Sequence, residues 1–401
     1  MGKQKLFNDP IYGLINFKFP FLYDLIDHRY FQRLRRIQQM GMAQLVYPGA
    51  THTRFQHAIG AMHLMQCAVV KLREKGIDIS DVEAEASCAA MLLHDIGHGP
   101  ISHALESKII DVSHEKISLA IMNQLNQAFE GKLDVAIKIF QDQYERPFFH
   151  QLVSSQLDLD RMDYITRDSF YTGVAEGTIG YDRIISMFNV IDDQMVIEQK
   201  AIYSVQKFLI AREIMYKQVY LHKTNVVSEL MLKLFFDYIK NNFRQVKKST
   251  PQMLCSKALH YFLEIPRKDL EEETLDQFLL IDDHDIWQLL KSCLESRDDF
   301  IRNYAERLIR RDLFKIHTSD KPHSSDFKAS LRQKVTKGLN LDNELEVLFF
   351  IEHKESIVTY SSESQGIMVL NKESEVVELS HFFPSFKYLT FVDTYFLCIP
   401  T

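Results

Sequence analysis

The chain has 401 residues and a formal net charge of −7, with 46% hydrophobic and 25% charged residues. This balance is typical of a folded globular protein and argues against disorder. The negative net charge argues against a general nucleic-acid-binding protein, because phosphate backbones are bound by basic surfaces. The length exceeds what one small core needs, so we expect one large helical domain with an appendage, or two domains.

The cysteines and the N-terminus indicate a cytoplasmic location. The cysteines are odd in number, widely spaced and without a CxxC pair, which predicts reduced thiols and argues against a zinc–thiolate site. The basic N-terminus lacks the apolar core of a signal peptide. No stretch approaches the roughly 18 apolar residues that span a bilayer, so no membrane association is expected. The cysteines are Cys67, Cys88, Cys255, Cys293 and Cys398.

Most of the chain has the three- and four-residue periodicity of amphipathic helices. Ser113 is expected to cap a helix, and so is Thr51 or Thr53. The first predicted element, over residues 11–19, alternates like a short strand or hairpin arm and ends at Pro20. A hairpin is expected where residues 195–197 are followed by 201–204. The predicted helices cover residues 21–42, 54–74, 81–94, 152–170 and 205–243, and helical patterning continues to about residue 309.

From Ser325 onward the sequence pattern changes to β-branched and aromatic runs separated by turn residues. We read this tract as a small mixed α/β piece, with a boundary near residues 317–326. The predicted fold is therefore mainly α, with a helical core over residues 1–320 and a C-terminal α/β appendage over residues 325–401. The predicted strands of the appendage are residues 345–351, 356–360, 366–370, 374–379 and 389–397.

The most informative stretch is His94-Asp95-Ile96-Gly97-His98-Gly99-Pro100-Ile101-Ser102-His103. It follows an apolar, helix-favouring run, so His94 and Asp95 leave a buried helix end together. The glycines break the helix, and Pro100 suits the first turn of a following helix that carries His103 back to the same cleft. Imidazole and carboxylate together favour a divalent or redox-capable metal with a position open for water.

Further ligands are expected from two other helices. His57 lies on the helix that precedes the His94 helix, and Asp158, Asp160 and Asp163 lie on the polar face of residues 152–170. Alone, His57 would more often be structural, but beside His94 and Asp95 a ligand role is favoured. A metal-bound water with a lowered pKa is a nucleophile for a phosphorus or acyl centre.

Two further observations narrow the chemistry. The chain has no HExxH motif, which argues against a zinc protease, and no GxxxxGK[ST] loop, which argues against a P-loop nucleotide site. The nearby arginines favour a phosphorylated substrate, because guanidinium groups bind phosphate oxygens in bidentate fashion. These arginines are Arg54, Arg161 and Arg167.

The set His57, His94-Asp95 and Asp160 is similar to the H…HD…D signature of HD-domain metal-dependent phosphohydrolases. The longer motifs resemble those of the deoxynucleoside triphosphate (dNTP) triphosphohydrolases, which include bacterial dGTPase-like enzymes and an animal enzyme with a sterile-alpha-motif before its HD domain. The resemblance covers about residues 5–320, and no sterile-alpha-motif precedes the HD domain here. Its motifs are FNDPIYG (7–13), FQRLRRIQQMG (31–41), YPGATHTRFQHAIG (47–60), LLHDIGHGPISH (92–103) and LDLDRMDYITRD (157–168).

The resemblance implies hydrolysis of dNTPs to deoxynucleoside and inorganic triphosphate by attack of a metal-activated water on the α-phosphorus. It assigns His57, His94, Asp95 and Asp160 to one metal ion (Mn, Fe, Mg or Zn), with further Mg possible on the triphosphate. It puts His98, His103 and His114 around the α-phosphate and the leaving oxygen, with Glu115 beside them. A histidine next to a carboxylate is suited to protonate an alkoxide leaving group. Family enzymes have Asp where this chain has Glu106, which leaves the orienting role of that acid open.

The resemblance also implies the substrate contacts. Arg54, Arg161 and Arg212 would bind the triphosphate, although the animal enzyme has Lys in place of Arg161. Tyr164 and Arg167 share the face of Asp160 and fit substrate contact. Gln39 matches the residue that bonds the sugar 3′-hydroxyl. Tyr220 matches the aromatic that packs under the sugar and excludes a 2′-hydroxyl, and His222 lies near the base; for Tyr220 the alternative is an ordinary core aromatic.

A regulatory site is implied as well. Lys5, Asp27, Gln32 and Arg35 stand where the animal enzyme binds an activating guanine nucleotide between subunits, and a solvated helix face is the equal alternative. The activator would be GTP or a dNTP, bound by a homo-oligomer, either a dimer or a tetramer. The basic residues that complete a second activator site are not found around residues 189–200, so allosteric activation is either absent or of another kind.

Two rival functions remain open at this stage. One is an HD phosphohydrolase that acts on another nucleotide, such as a monophosphate. The other is a non-catalytic nucleotide sensor or single-stranded nucleic-acid binder, which the acidic net charge disfavours.

Overall fold

The computed structural model describes residues 5–264, 269–339, 349–357, 360, 366–384 and 392–400, apart from the side chains of residues 103, 337–339, 357 and 392. The predicted mainly helical fold with small sheets is confirmed. The helices are α1 (Pro20–Asp27), α2 (Arg29–Gln32), α3 (Arg54–Glu74), α4 (Asp81–Leu93), α5 (Ser102–Leu105), α6 (His114–Ala128), α7 (Asp134–Phe140), α8 (Phe148–Val153), α9 (Leu159–Thr172), α10 (Tyr181–Ser186), α11 (Ile202–Met215), α12 (Lys223–Asn241), α13 (Phe243–Ser249), α14 (Lys257–Glu264), α15 (Glu272–Phe278), α16 (Asp283–Ser292), α17 (Asp299–Arg310) and α18 (Ser325–Leu339).

The strands form three small sheets among the described residues. The first is the antiparallel β1–β2 hairpin, the second has the order β3-β4-β7-β8 with β4 and β7 parallel, and the third has the order β5-β9-β6. The strands are β1 (Phe7–Asp9), β2 (Gly13–Ile15), β3 (Phe188–Ile191), β4 (Gln194–Glu198), β5 (Lys315–Ser319), β6 (Ile351–Ile357), β7 (Met368–Leu370), β8 (Val376–Glu378) and β9 (Val392–Ile399).

Helices α3, α4 and α9 pack together and form the scaffold of the core. The predicted bounds of α3 and the start of α4 are confirmed, because local signals set them. At α4 the Ser80 hydroxyl accepts from the Glu83 N–H at 3.2 Å and the Glu83 carboxylate accepts from the Ser80 N–H at 2.8 Å, which is a capping box. Ser113 caps α6 as predicted. Most of α4 is buried, as its alanine-rich apolar run indicates.

Three predicted elements are corrected. The helix over residues 21–42 breaks at His28, whose extended backbone (ψ 140°) begins α2, and it ends in an extended strand segment in which Gln38 bridges Thr53. The helix over 152–170 is interrupted before Asp158, which caps α9. The hairpin joins β3 to β4, and residues 201–204 lie in helical turns.

The C-terminal strands complete sheets that begin earlier in the chain. Strand β9 pairs with β5 and β6, and β7 pairs with β4. Of the predicted strands, β6 begins only at Ile351, while 345–348, 358–359 and 389–391 lie outside the described residues. The division into 1–320 and 325–401 stays a prediction. No helix among the described residues is long and apolar enough to cross a membrane.

Candidate active site

A potential metal site lies where α3, the end of α4 and the first turn of α9 meet. The Nε2 atoms of His57 and His94 lie 3.0 and 3.3 Å from the same Asp160 oxygen, Oδ1. Asp95 Oδ2 lies 3.7 Å from His57 Nε2, and Asp95 Oδ1 lies 3.5 Å from His94 Nε2. Both Nε2 atoms are buried and make no well-aligned hydrogen bond within the described residues. His57, His94 and Asp160 therefore form one group that could hold a metal ion, and Asp95, which lies beside them, also forms such a group with His98 and His114.

The second nitrogen of each imidazole is already bound to the protein. His94 Nδ1 lies 2.7 Å from the Met91 carbonyl, and His57 Nδ1 lies 2.8 Å from Asp163 Oδ2. This arrangement directs the Nε2 lone pairs at the common point and is what a metal-binding histidine requires. Burial lowers the pKa of His57, but the close contacts with the Asp160 and Asp163 carboxylates outweigh it and raise the pKa to about 10. A divalent cation at this point would replace that proton, so the donor set fits a metal.

Asp163 is held by a buried arginine. Arg167 donates to both Asp163 oxygens at 2.9 Å and to Asp9 Oδ2 of the N-terminal hairpin at 2.8 Å. Burial raises the pKa of Asp163, but Arg167 and His57 lower it to about 2. The pair packs directly against Gly60 of α3, where an added Cβ would lie 2.1 Å from each partner.

The turn after His94 is fixed by close packing on α6. A Cβ on Gly97 would lie 2.2 Å from the His114 carbonyl and 2.3 Å from the Ser118 N–H, so only glycine fits. The Ser118 hydroxyl accepts from the Gly97 N–H and donates to the His94 carbonyl. Arg33, itself buried, donates to the carbonyls of Ile96 and His98. Contrary to prediction, Pro100 precedes α5, and Ile101 and Ser102 have positive φ.

Two histidines lie beside the metal ligands. The His98 and His114 rings stack with centroids 4.0 Å apart, and His98 Nε2 lies 3.3 Å from Asp95 Oδ1. His114 Nδ1 lies 2.6 Å from Glu106 Oε1. Burial and Arg54 lower the pKa of His98. Burial also lowers the pKa of His114, but the hydrogen bond to Glu106 and the charges of Asp95 and Glu106 together raise it. Glu106 is thus the carboxylate partner of His114; the side chain of His103 lies outside the described residues.

These groups open into a cavity of about 380 Å3. Arg54 donates to Asp95 and, at 2.9 Å, to the Ser102 hydroxyl, while Arg161 donates to Asp158. The cavity therefore has carboxylates and cations side by side. Its lining is Gln39, Met40, Gly41, Arg54, Asp95, His98, Ser102, His114, Asp160, Arg161, Tyr164, Asp168, Tyr216, Tyr220, Asn225 and Glu229.

The aromatic wall comes from one irregular turn. Residues 216–220 form a π-helical turn between α11 and α12, which brings both Tyr216 and Tyr220 to the cavity. Such turns often occur at functional sites. The Tyr220 hydroxyl donates to Asp168 Oδ2 at 2.7 Å, and Asp168 Oδ1 lies 2.7 Å from His52 Nε2.

Four predicted site residues are not brought to the cavity. Arg167 is buried beneath it in the pair with Asp163. Arg212 lies behind Tyr216, with its guanidinium 6.0 Å from that ring and 3.5 Å from Gln156 Oε1. His222 caps α12 by accepting from the Thr224 N–H, and Glu115 is exposed on the first turn of α6.

The residues predicted to bind an activator are not among those that line the cavity. Lys5 pairs with Asp27, and Arg35 donates to Gln32 Oε1 at 2.9 Å while its guanidinium stacks 3.6 Å over Phe55. Gln32 also donates to the Ile26 carbonyl at 2.7 Å. This geometry suits a structural role as well as a binding role, and activator binding stays a prediction.

Sequence reasoning missed several cavity residues. Asp168 directly follows Arg167 and ends the motif quoted above. Asp168 lines the cavity, whereas Arg167, which was predicted to contact the substrate, does not. Tyr216 and Asn225 flank Tyr220 at four and five residues, and Glu229 follows Asn225 by one turn. These residues reach one cavity because of the π-helical turn at residues 216–220, and the periodicity of the sequence does not predict such a turn.

Comparisons with known proteins agree with this site. The HD domain model matches residues 54–168, and the HD associated region matches residues 179–253. The chain is similar to a phosphohydrolase of Bacteroides thetaiotaomicron, with 41% identity, a TM-score of 0.93 and 100% of both chains covered. It is 31% identical to the Bacillus subtilis protein YwfO over 322 residues, which cover 78% of this chain and 72% of the relative.

Relatives named as dNTP triphosphohydrolases match over a smaller share of their length. The Dictyostelium discoideum homolog of SAMHD1 is 32% identical over 249 residues, covering 57% of this chain and 48% of that protein. SAMHD1 of Gallus gallus is 26% identical over 364 residues, covering 80% of this chain and 57% of that protein. The two family matches span the elements that carry the His and Asp ligands and the tyrosine turn, and the chain belongs to the HD-domain phosphohydrolases.

Proposed function

We propose that the protein hydrolyses dNTPs to deoxynucleoside and inorganic triphosphate. The observation that carries the proposal is the composition of one cavity. It combines the predicted metal ligands Asp95 and Asp160 with Arg54 and Arg161, and these lie beside Gln39, Tyr164 and Tyr220. A volume of about 380 Å3 is within the range of small-molecule sites. The relatives named as dNTP triphosphohydrolases support the same substrate class.

His57, His94, Asp95 and Asp160 would hold the metal ion. When bound there, the ion supplies Lewis-acid polarisation of a phosphoryl oxygen and lowers the pKa of water. Ligand type alone does not choose between Mn, Fe, Mg and Zn. Arg54 and Arg161 neutralise phosphate charge. Each contacts its carboxylate, Asp95 or Asp158, through one nitrogen and has further N–H donors to offer to the substrate.

The leaving group of this reaction is the 5′-oxygen of the deoxynucleoside, which needs a proton. His114 is suited to donate it, because Glu106 orients the imidazole through Nδ1 and helps to raise its pKa. His98, stacked on His114 and adjacent to Asp95, faces the phosphate in this scheme. His103 is kept as a predicted contributor from the resemblance. Gln39 and Tyr220 orient the sugar.

The test is to incubate the protein with each dNTP, alone and in pairs, and to separate the products. Inorganic triphosphate together with deoxynucleoside is the expected result. Orthophosphate as the sole phosphorus product would instead favour hydrolysis of another nucleotide, such as a monophosphate. Asp95→Ala should abolish both bound metal and turnover, and unchanged behaviour would support a non-catalytic nucleotide sensor.

Activation and assembly belong to the same proposal. Turnover of one dNTP that requires a second dNTP or GTP would support an activator site at Lys5, Asp27, Gln32 and Arg35. Substituting Arg35 should then remove the stimulation, because it removes a charge of the predicted activator site. Arg35 is exposed, and among the hydrogen bonds described its Nε donates only to Gln32. Sedimentation with and without GTP tests for the expected dimer or tetramer.

A further inference from the structure

The cavity has a second polar end, away from the metal ligands. It is built by Asn225 and Glu229, which are one helical turn apart on α12 and so share a face. Gly41 lies opposite, with φ 53°, and a Cβ there would be 3.4 Å from Glu229 Oε1. Gln39 lies two residues before Gly41 in the same turn. The chain of Gln39 to Gly41 therefore runs from the expected sugar position towards Glu229.

This end carries acceptors that lack donors. The Oδ1 of Asn225 and the Oε1 of Gln39 are buried and have no hydrogen-bond partner among the described residues. The Asn225 amide is oriented, because its Nδ2 donates to the Tyr220 carbonyl at 3.2 Å. A buried acceptor without a donor costs free energy, so a ligand that donates at this point is favoured.

Glu229 adds a carboxyl group, which already accepts one hydrogen bond from the Asn225 side chain. Burial raises the pKa of Glu229 to about 7, and the charge of Glu355 acts in the same direction. Lys233, Asn225 and His353 lower this pKa, but their effect is smaller. Lys233 lies one turn further along α12, and His353 and Glu355 lie on β6. No metal ligand is among the groups with the largest influence on this carboxyl. Hydrogen bonds from a ligand would stabilise its ionised form in place of water.

We propose that Asn225 and Glu229 form the nucleobase subsite and select guanine, an inference that rests on the proposed dNTP substrate. Guanine is the base whose Watson–Crick edge carries two adjacent donors, N1–H and the 2-amino group, which a carboxylate accepts side by side. Adenine and cytosine pair a donor with an acceptor on that edge, and thymine has one donor between two acceptors. An acceptor-rich pocket therefore matches deoxyguanosine best.

The sharpest probe is the removal of one donor from the base. Deoxyinosine has the N1–H of deoxyguanosine but lacks the 2-amino group. We expect kcat/KM for dGTP to exceed that for dITP by about tenfold or more, since a lost hydrogen bond to a charged group has an effect of this order. Glu229→Gln should reduce the dGTP/dITP ratio to near unity, because the amide offers one acceptor and a donor that opposes the 2-amino group. Glu306→Gln, on the surface of α17, is the matched control and should keep the wild-type ratio.

Binding of the nucleosides keeps the test independent of hydrolysis and of folding of the variant. Calorimetry of the wild-type protein should show that deoxyguanosine binds more tightly than deoxyinosine. Equal affinity for the two nucleosides, or equal kcat/KM for dGTP and dITP, overturns the guanine subsite even if all dNTPs are hydrolysed. If no dNTP releases triphosphate, the proposed function fails, while the nucleoside affinities still decide for or against the subsite.

Discussion

At the scale of single residues, three acids of one helix have three separate tasks. Asp158 caps α9 and pairs with Arg161, Asp160 faces His57 and His94, and Asp163 binds the far side of His57. Asp160 and Asp163 are three residues apart and share a face of α9, so they reach the two nitrogens of one His57 ring, while Asp158 lies at the N-cap and accepts from the Arg161 N–H. The residues alone left all three acids as candidate ligands, and the resemblance to HD-domain enzymes selected Asp160.

The role of Asp163 predicts the effect of removing its charge. Asp163→Asn keeps the size of the side chain but weakens the orientation of His57 and leaves Arg167 with Asp9 as its remaining carboxylate partner. We expect metal affinity to fall by about 10- to 100-fold, the usual effect of losing a partner of a metal-binding histidine. Competitive titration with a metal indicator measures this. Asp142→Asn, at an exposed loop position, is the control, and an equal affinity in both variants would contradict the assigned role.

At the scale of elements, the contact between α3 and α9 depends on one glycine. Gly60 allows the Arg167–Asp163 pair to lie against α3, three residues after His57. Arg54, His57 and Gly60 follow one another at three-residue spacing on α3 and share a face, but this spacing gives no reason for the glycine. The reason is the arginine that crosses this face from another helix.

Gly60→Ala should therefore destabilise the fold and disturb the metal site together. Its Cβ would lie 2.1 Å from both Arg167 Nη2 and Asp163 Oδ1, and neither group can retreat without breaking the pair. We expect the free energy of unfolding to fall by about 1–3 kcal/mol, as for other overpacked sites. Urea unfolding measures it. Gly180→Ala is the matched control, since nothing lies within 4 Å of its Cβ and its φ is −92°; a similar loss in both variants would argue against this explanation.

At the scale of the whole molecule, one carboxyl group ties together three distant segments. Asp283 of α16 accepts from the Gln38 N–H and the Ile101 N–H, both at 2.8 Å. It thereby joins the segment that carries Gln39 to the turn that follows the His94-Asp95 pair. Burial raises the pKa of Asp283 to about 6, although these two hydrogen bonds lower it.

The raised pKa makes the stability of the fold depend on pH. Between about pH 4 and 6 the folded state keeps a proton on Asp283 that the unfolded chain has lost, so rising pH costs stability until the folded pKa is passed. The change amounts to about 3 kcal/mol at most, for a shift of about two units. We expect the unfolding free energy of the wild type, measured relative to that of Asp283→Asn, to fall as the pH rises over this range. Urea unfolding at several pH values checks it, and a constant difference would contradict the raised pKa. Asp142→Asn should follow the wild type throughout.

Much of the fold and site could be predicted from local signals. The bounds of α3, the capped starts of α4 and α6, and the metal-ligand set His57, His94, Asp95 and Asp160 all rest on periodicity, caps or motifs within short stretches. Predictions failed where the determinant is distant. The segment of residues 37–39 is extended because its partners are Thr53 and Asp283, and the two helices around residues 152–170 separate at the Asp158 cap.

The sequence alone determined the helical class, the candidate metal ligands and the phosphorylated substrate class, because helix periodicity and ligand chemistry are properties of residues a few positions apart. Tertiary structure decided which groups share one cavity. It buried Arg167 in a pair with Asp163, paired Glu106 with His114, and brought Asp168, Tyr216, Asn225 and Glu229 to the cavity. Those outcomes depend on packing between α3, α6, α9 and α12 and on one π-helical turn, and contacts between distant segments leave no periodic trace in the chain.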